Sequence, residues 1–315
     1  MKIPLASWIC RVIAAATVLS ITLSGLTHAS ALSPGAAKGL IWLQAQVQAD
    51  GSLTNEAVSI ATSLQSRAET LQTLKLLATV PTPLADQLAA DTEDNTEFLA
   101  RRAVTLNLAG RDASTLTALL LARQNADGGF GGGIGQVSNA LDTAWVMLAL
   151  AQNSLSGAPA ALTARNFLLA VIQPDGGVAA DSESARVSAN AVALLALQSL
   201  PSNLNTATAL KQISAWLLLK QGVDGSWLGD GYLTALSLSA VSPLVTDSAI
   251  RAAARIYLTG LQGIEGSWGG DPFLTAVVLR ALVFEPTTAP VLTSSIMGRV
   301  VDKNTATALG SATVA

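Results

Sequence analysis

The chain has 315 residues, half of them hydrophobic and only 12% charged, with a formal net charge of −3, one cysteine (Cys10) and one histidine (His28). A single cysteine excludes an internal disulfide, and nothing basic clusters along the chain, so nucleic acid is excluded as a partner class. An apolar chain of this length can bury a large core without covalent cross-links.

Residues 1–31 read as a secretory signal peptide. Lys2 and Arg11 give a positive start, Val12 to Leu26 is an apolar run, and Ala29-Ser30-Ala31 is a small-x-small cleavage site. The run is shorter than a membrane span and is broken by Ser20, Thr22 and Ser24. Cleavage after Ala31 removes Cys10 and His28 and leaves 16 basic and 21 acidic residues, a net charge of −5. The mature chain is therefore expected outside the cytoplasm: periplasmic, cell-surface or extracellular. No later stretch is long and apolar enough to span a bilayer.

From Gly35 the pattern predicts two alternating sets of helices. One set is expected near 35–48, 83–91, 113–124, 159–172, 205–220 and 246–261; the other near 56–78, 94–109, 138–152, 183–199, 231–241 and 271–285. Several members of the second set are apolar almost all round, as from Ala191 to Leu200 and from Leu274 to Phe284, so this set is expected to be buried on every side. The first set carries polar positions such as Lys211, Gln212 and Lys220 and is expected outside it.

The turns between them repeat. Gln221-Gly222-Val223-Asp224-Gly225-Ser226-Trp227 returns forty-one residues later as Gln262-Gly263-Ile264-Glu265-Gly266-Ser267-Trp268. Looser copies run from Gln124 to Phe130, from Gln173 to Val178 and from Gln48 to Leu53. A period of this length marks a repeat architecture. With Trp216-Leu217 before Gln221 and Tyr257-Leu258 before Gln262, the pattern resembles the QW repeat of the squalene–hopene cyclase and protein prenyltransferase superfamily. The resemblance covers roughly residues 36–284. It implies an all-α fold, an α/α toroid of about six helical hairpins over 32–285. It also implies that Gln124, Phe130, Gln173, Gln221, Trp227, Gln262 and Trp268 hold helix ends together rather than do chemistry.

Four of the five turn acids have a second acid six residues on: Asp50/Glu56, Asp175/Asp181, Asp224/Asp230 and Glu265/Asp271. Two carboxylates per loop are too few for calcium, so no metal is expected, and the second acid is placed to cap the next helix. A polar column at the starts of the second-set helices (Thr70, Thr143, Asn190, Thr234, Thr275, with Thr96 as a sixth candidate) has two readings. It caps backbone groups there, or it rims the mouth of an apolar cavity.

The chemistries of the resembling enzymes can be tested on the residues. A mature chain without Cys or His excludes a zinc site of the prenyltransferase type, a thioester, and Cys–His or Ser–His nucleophiles. Class II terpene cyclases use an Asp-x-Asp-Asp acid. The nearest match is Asp91-Thr92-Glu93-Asp94, with Glu93 where the proton donor belongs and Asp91 and Asp94 beside it. Asp142-Thr143-Ala144 matches only the tail of that motif, and few aromatics are left to stabilise carbocations.

Beyond Glu285 the period changes. Residues 286–295 form a Pro/Thr linker, and 296–315 resemble the truncated start of a carboxypeptidase-regulatory-like β module, with Gly298-Arg299-Val300-Val301-Asp302 followed by Leu309-Gly310-Ser311-Ala312-Thr313-Val314. The expected function is an exported non-catalytic toroid for binding or surface display, part of a larger surface or periplasmic protein. It takes an apolar small molecule or another protein as partner and needs no cofactor. The alternative is a cyclase-like enzyme acting on a polyprenyl substrate through Asp91, Glu93 and Asp94.

Overall fold

A computed structural model describes residues 32–283. The proposed signal peptide, the linker over 286–295 and the β-type segment over 296–315 lie outside the described residues. Within them are twelve α-helices and no strand: α1 (Pro34–Gln46), α2 (Ser63–Leu77), α3 (Thr82–Ala90), α4 (Thr96–Leu108), α5 (Ser114–Leu121), α6 (Ala140–Gln152), α7 (Pro159–Ala170), α8 (Glu183–Gln198), α9 (Leu204–Leu218), α10 (Gly231–Val241), α11 (Ser248–Gly260) and α12 (Pro272–Val283).

The even-numbered helices form the inner ring. Each packs on the next, α2 on α4, α4 on α6, α6 on α8, α8 on α10 and α10 on α12, and α12 returns to pack on α2. The odd-numbered helices lie outside, each against an inner neighbour. This is the α/α toroid of six hairpins.

Composition explains the two layers. Inner helices are lined with small residues that carry no exposure, among them Ala144, Ala149, Ala191, Ala196, Ala235 and Ala276. Small side chains let neighbouring backbones approach closely on both sides. Alanine and leucine also keep helix propensity high where every face is covered. An outer helix such as α11 buries only Ala254 and Leu258 and leaves its other faces wet.

Boundaries follow the caps. Asn139 accepts from the Asp142 amide at the start of α6, Asp230 from the Leu233 amide at the start of α10, and Asn203 from the Thr206 amide at the start of α9. The second helix was expected from residue 56 but begins at Ser63. Glu56–Val58 is a single 3-10 turn, and Thr62 and Gln65 make a reciprocal capping box that starts the helix seven residues later.

Candidate functional site

The repeated turns sit at one end of the toroid, where outer helices hand over to inner ones. In each, a glycine has a left-handed backbone: Gly51, Gly128, Gly176, Gly225 and Gly266, with φ between 84° and 106°. A Cβ on Gly225 would lie 2.4 Å from the carbonyl of Ala253 on α11, and one on Gly266 2.7 Å from the carbonyl of Lys38 on α1. Only glycine lets the turn rest directly on the next outer helix.

The glutamine completes that contact. Gln221 Nε2 donates to the carbonyls of Gly225 (3.0 Å) and Ile250 on α11 (3.0 Å). Gln124 does the same with Gly128 and Ala160 on α7. Gln262 donates to Gly266 and to Gly35 at the start of α1, which closes the outer ring. Gln173 departs from the expected role: its amide reaches only the Val171 carbonyl. The link to α9 is made instead by Asp175, which accepts from Trp216 Nε1 at 3.1 Å. Gln173 is left lining a surface groove of about 470 Å³ with Asp175, Ala179 and Arg186.

Three of the five turns carry an aromatic, Phe130, Trp227 and Trp268, and each ring is buried. Trp227 Nε1 donates to the Leu217 carbonyl at 2.8 Å and Trp268 Nε1 to the Leu258 carbonyl at 2.6 Å. Their backbone amides donate to Thr234 and Thr275, as Phe130 does to Thr143 and Val178 to Asn190. Thr143, Asn190, Thr234 and Thr275 are therefore acceptors for the turns, whereas the Thr70 hydroxyl is buried without a hydrogen-bond partner among the described residues. Thr70, Thr143, Asn190, Thr234 and Thr275 are all fully buried, and Thr96 with them, so they rim no opening. The reason is that the four turns that bond this column fold down over their inner helices and cover the side chains they bond.

The acids divide similarly. Asp50, Asp127, Asp175 and Asp224 each accept from the amide two residues on, and Asp230 and Asp271 cap inner helices. Asp181 is exposed, and the cap at α8 is Ser182. Among the described residues no three His, Cys, Asp or Glu converge on a cation site.

Asp91, Glu93 and Asp94 lie in the α3–α4 connection, the one hand-over without a glycine turn. Glu93 and Asp94 are exposed and Asp91 is half-buried. Asp91 accepts from the Glu93 amide, and Asp94 pairs with Arg123. The helix begins only at Thr96, capped by Asn95, so the three acids stay in the loop and do not reach the ring interior.

The interior itself was not legible from these motifs. On α6 from Ala140 to Ala151, only Leu141 and Leu148 keep exposure; on α8 from Val187 to Leu197, only Ser188 and Leu195. Tyr232 and Ser239 on α10, Glu97 and Val104 on α4, and Gln65 and Gln72 on α2 repeat the spacing. Seven residues are two turns along one helix face. Since the other faces pack on neighbours, this stripe faces the lumen. The lumen thus has an accessible level at each end and a closed level between them.

Charge fills the closed level. Glu69 on α2 is ion-paired with Arg101 on α4 and with Arg280 on α12, and Arg101 also binds Glu97 at 2.7 Å. The Arg101 guanidinium lies 3.9 Å from the ring centroid of Trp145 on α6. Burial alone would raise the Glu69 carboxyl, but Arg280 and Arg101 outweigh it and hold the group below the ordinary glutamate range. Burial pushes the Tyr232 phenol up, against an opposing pull from Arg101 and a hydrogen bond with Ser188. Burial also raises the Asp142 carboxyl, with the Asn139 hydrogen bond opposing and Glu97 adding to it. The network touches inner helices all round the ring. The signal that could have found it is the presence of Glu69, Glu97, Arg101 and Arg280 within helices of the set expected to be buried on every side.

No family model and no curated protein matches the chain. Solved structures do. An ent-copalyl diphosphate synthase from Streptomyces platensis superposes with a TM-score of 0.58 at 20% identity, over 70% of this chain and 50% of that one. The type II terpene cyclase MstE from Scytonema gives a TM-score of 0.40 at 15% identity, over 79% and 96%. A protein from Actinoplanes gives 0.38 at 17%, over 79% and 97%. At these identities the likeness is one of fold, carried by the first of the three, and this chain spans half the length of that synthase. The toroid is the helical α/α fold found in terpene cyclases.

Proposed function

We propose that the toroid is an exported binding module that takes an apolar ligand at the far end of its lumen and does not turn it over. The far level offers Val104, Leu148 and Leu195, half-buried and apolar, beside the polar Gln72 and Ser239. Their burial against a hydrocarbon chain is worth roughly 25 cal/mol per Å² before the costs of association. The observation that carries the absence of turnover is the ion-paired state of Glu69 and Glu97. An acid that starts a cyclisation must hold a proton at working pH and release it to the substrate. Glu69 is held the other way, charged and locked between Arg101 and Arg280. Its partner Arg101 covers the face of Trp145, the aromatic ring that a migrating positive charge would need.

A cyclase-like enzyme is the second reading, and the fold likeness speaks for it more than for the first. Its acid would be Asp142, a buried carboxyl pushed up at the start of α6, ahead of the half-buried Asp91 and the exposed Glu93 and Asp94. One incubation separates the two. The full chain is held with squalene and with geranylgeranyl diphosphate, then separated from free ligand and analysed by mass spectrometry beside Asp142→Asn and Glu93→Gln variants. Ligand retained unchanged supports the binding module. Cyclised product that vanishes in one variant establishes the enzyme and names its acid.

Export rests on the signal-peptide pattern of residues 1–31, and cleavage there would remove Cys10 and His28. N-terminal sequencing of protein from the envelope or medium should begin at Leu32, and recovery of the chain from the cytoplasm beginning at Met1 would refute it.

A further inference from the structure

The two ends of the toroid differ in chemistry. The six connections from outer to inner helices hold twelve acids and two bases, Arg123 and Lys220. The five connections at the opposite end hold Arg111, Asp112 and Asp247. The acidic end also displays aliphatic side chains in full view of solvent. Val223 and Ile264 stand beside Asp224 and Glu265 at the tips of their turns, Ile264 at 94% exposure. Val137 and Val58 on two other connections are 88% and 79% exposed. Single exposed aliphatics are ordinary on a surface, but repetition on one end, each among acids, is a pattern that packing does not require.

We propose that this end of the toroid docks a cationic, amphipathic segment of another protein. The electrostatics select that partner. An anionic bilayer is repelled by this end, where acids still outnumber bases among the connections when Glu56, Asp94 and Asp175 are counted as paired with Arg67, Arg123 and Arg186. A second copy cannot meet it face to face, because acids would oppose acids, and the opposite end of a second copy carries two acids for one base. A helix with lysine or arginine on one side and leucine on the other satisfies both features: its apolar side covers Val223 and Ile264 while its basic side pairs with Asp181, Asp224 and Glu265. The inner-helix N-termini behind the face already have Asp230 and Asp271 as caps, so the exposed carboxylates remain available to the partner.

The test uses the full chain and a synthetic 18-residue leucine–lysine amphipathic helix, with binding read by fluorescence anisotropy at physiological salt. Wild type is expected to bind, V223S/I264S to weaken binding at least tenfold, and D181K about threefold, while L244S at the opposite end leaves it unchanged. A scrambled peptide of the same composition is expected to bind at least tenfold more weakly. Circular dichroism melts of the variants check that these surface changes leave the fold intact. Failure of wild type to bind overturns the proposal, as does equal binding by V223S/I264S or by the scrambled peptide. Self-association in light scattering that V223S/I264S abolishes assigns the face to a second copy instead, and binding to anionic vesicles assigns it to a membrane.

Discussion

The interior ion network makes a quantitative test of the fold. Glu69 is about 2% exposed and holds two guanidiniums, Arg101 with about 3% exposure and Arg280 half-buried. Glu69→Gln keeps the shape but removes the negative charge, leaving Arg101 paired only with Glu97 and Arg280 with the Glu69 backbone carbonyl. Removing one partner of a buried pair costs about 3–5 kcal/mol, because the remaining charge stays desolvated. At about 2–4 °C per kcal/mol for a domain of this size, the midpoint should fall by about 6–20 °C. The acid response supplies a second reading. The folded carboxyl lies below its ordinary value near 4.5, so its contribution is complete above that value and is lost as pH falls through the lower folded value. Urea denaturation of both proteins at pH 7, 5 and 3.5 measures both effects: the variant should be weaker at pH 7, and its stability should decline less between pH 5 and 3.5. A loss under about 1 kcal/mol at pH 7 with an unchanged acid slope would show that the network is solvated and that the lumen is open through its middle.

Three further outcomes are expected from the turns. Trp227→Ala and Trp268→Ala should each cost about 3–5 kcal/mol in thermal melts, since each removes a buried ring and the indole hydrogen bond to the Leu217 or Leu258 carbonyl. Gly225→Ala, which adds a backbone clash with Ala253 to a left-handed strain, should cost about 3 kcal/mol or more; Gly229→Ala, with open space around it, should cost about 1 kcal/mol from strain alone. Gln262→Ala should cost about 1–3 kcal/mol by denaturant titration because it leaves Gly35 and Gly266 carbonyls without their donor, whereas Gln173→Ala should stay within about 0.5 kcal/mol.

Much of the architecture is local, and local features are written in the order of residues. The number of helices, their alternation and the assignment of inner and outer sets follow from apolar periodicity and from the recurring Gln–Gly–aromatic turn, because each hairpin needs only its own residues and its neighbour. The holding role of Gln221 and Gln262 is an implication of the resemblance to the QW repeat, and the contacts each makes lie within its own turn and the neighbouring outer helix. What the tertiary structure decided depends on ring closure. Glu69, Arg101 and Arg280 are distant in the chain and belong to helices whose charged residues have no readable direction until α12 packs on α2. Closure turns one stripe of every inner helix toward the same axis, and only then does a scattered set of charges become a buried network. The column from Thr70 to Thr275 shows the same limit: the residues were visible, but whether they met a cavity or a backbone amide depended on how far each turn folds over its helix. The acids at Asp91, Glu93 and Asp94 likewise matched a motif by spacing, while their place in the loop was set by α4, which begins only at Thr96 with Asn95 as its cap.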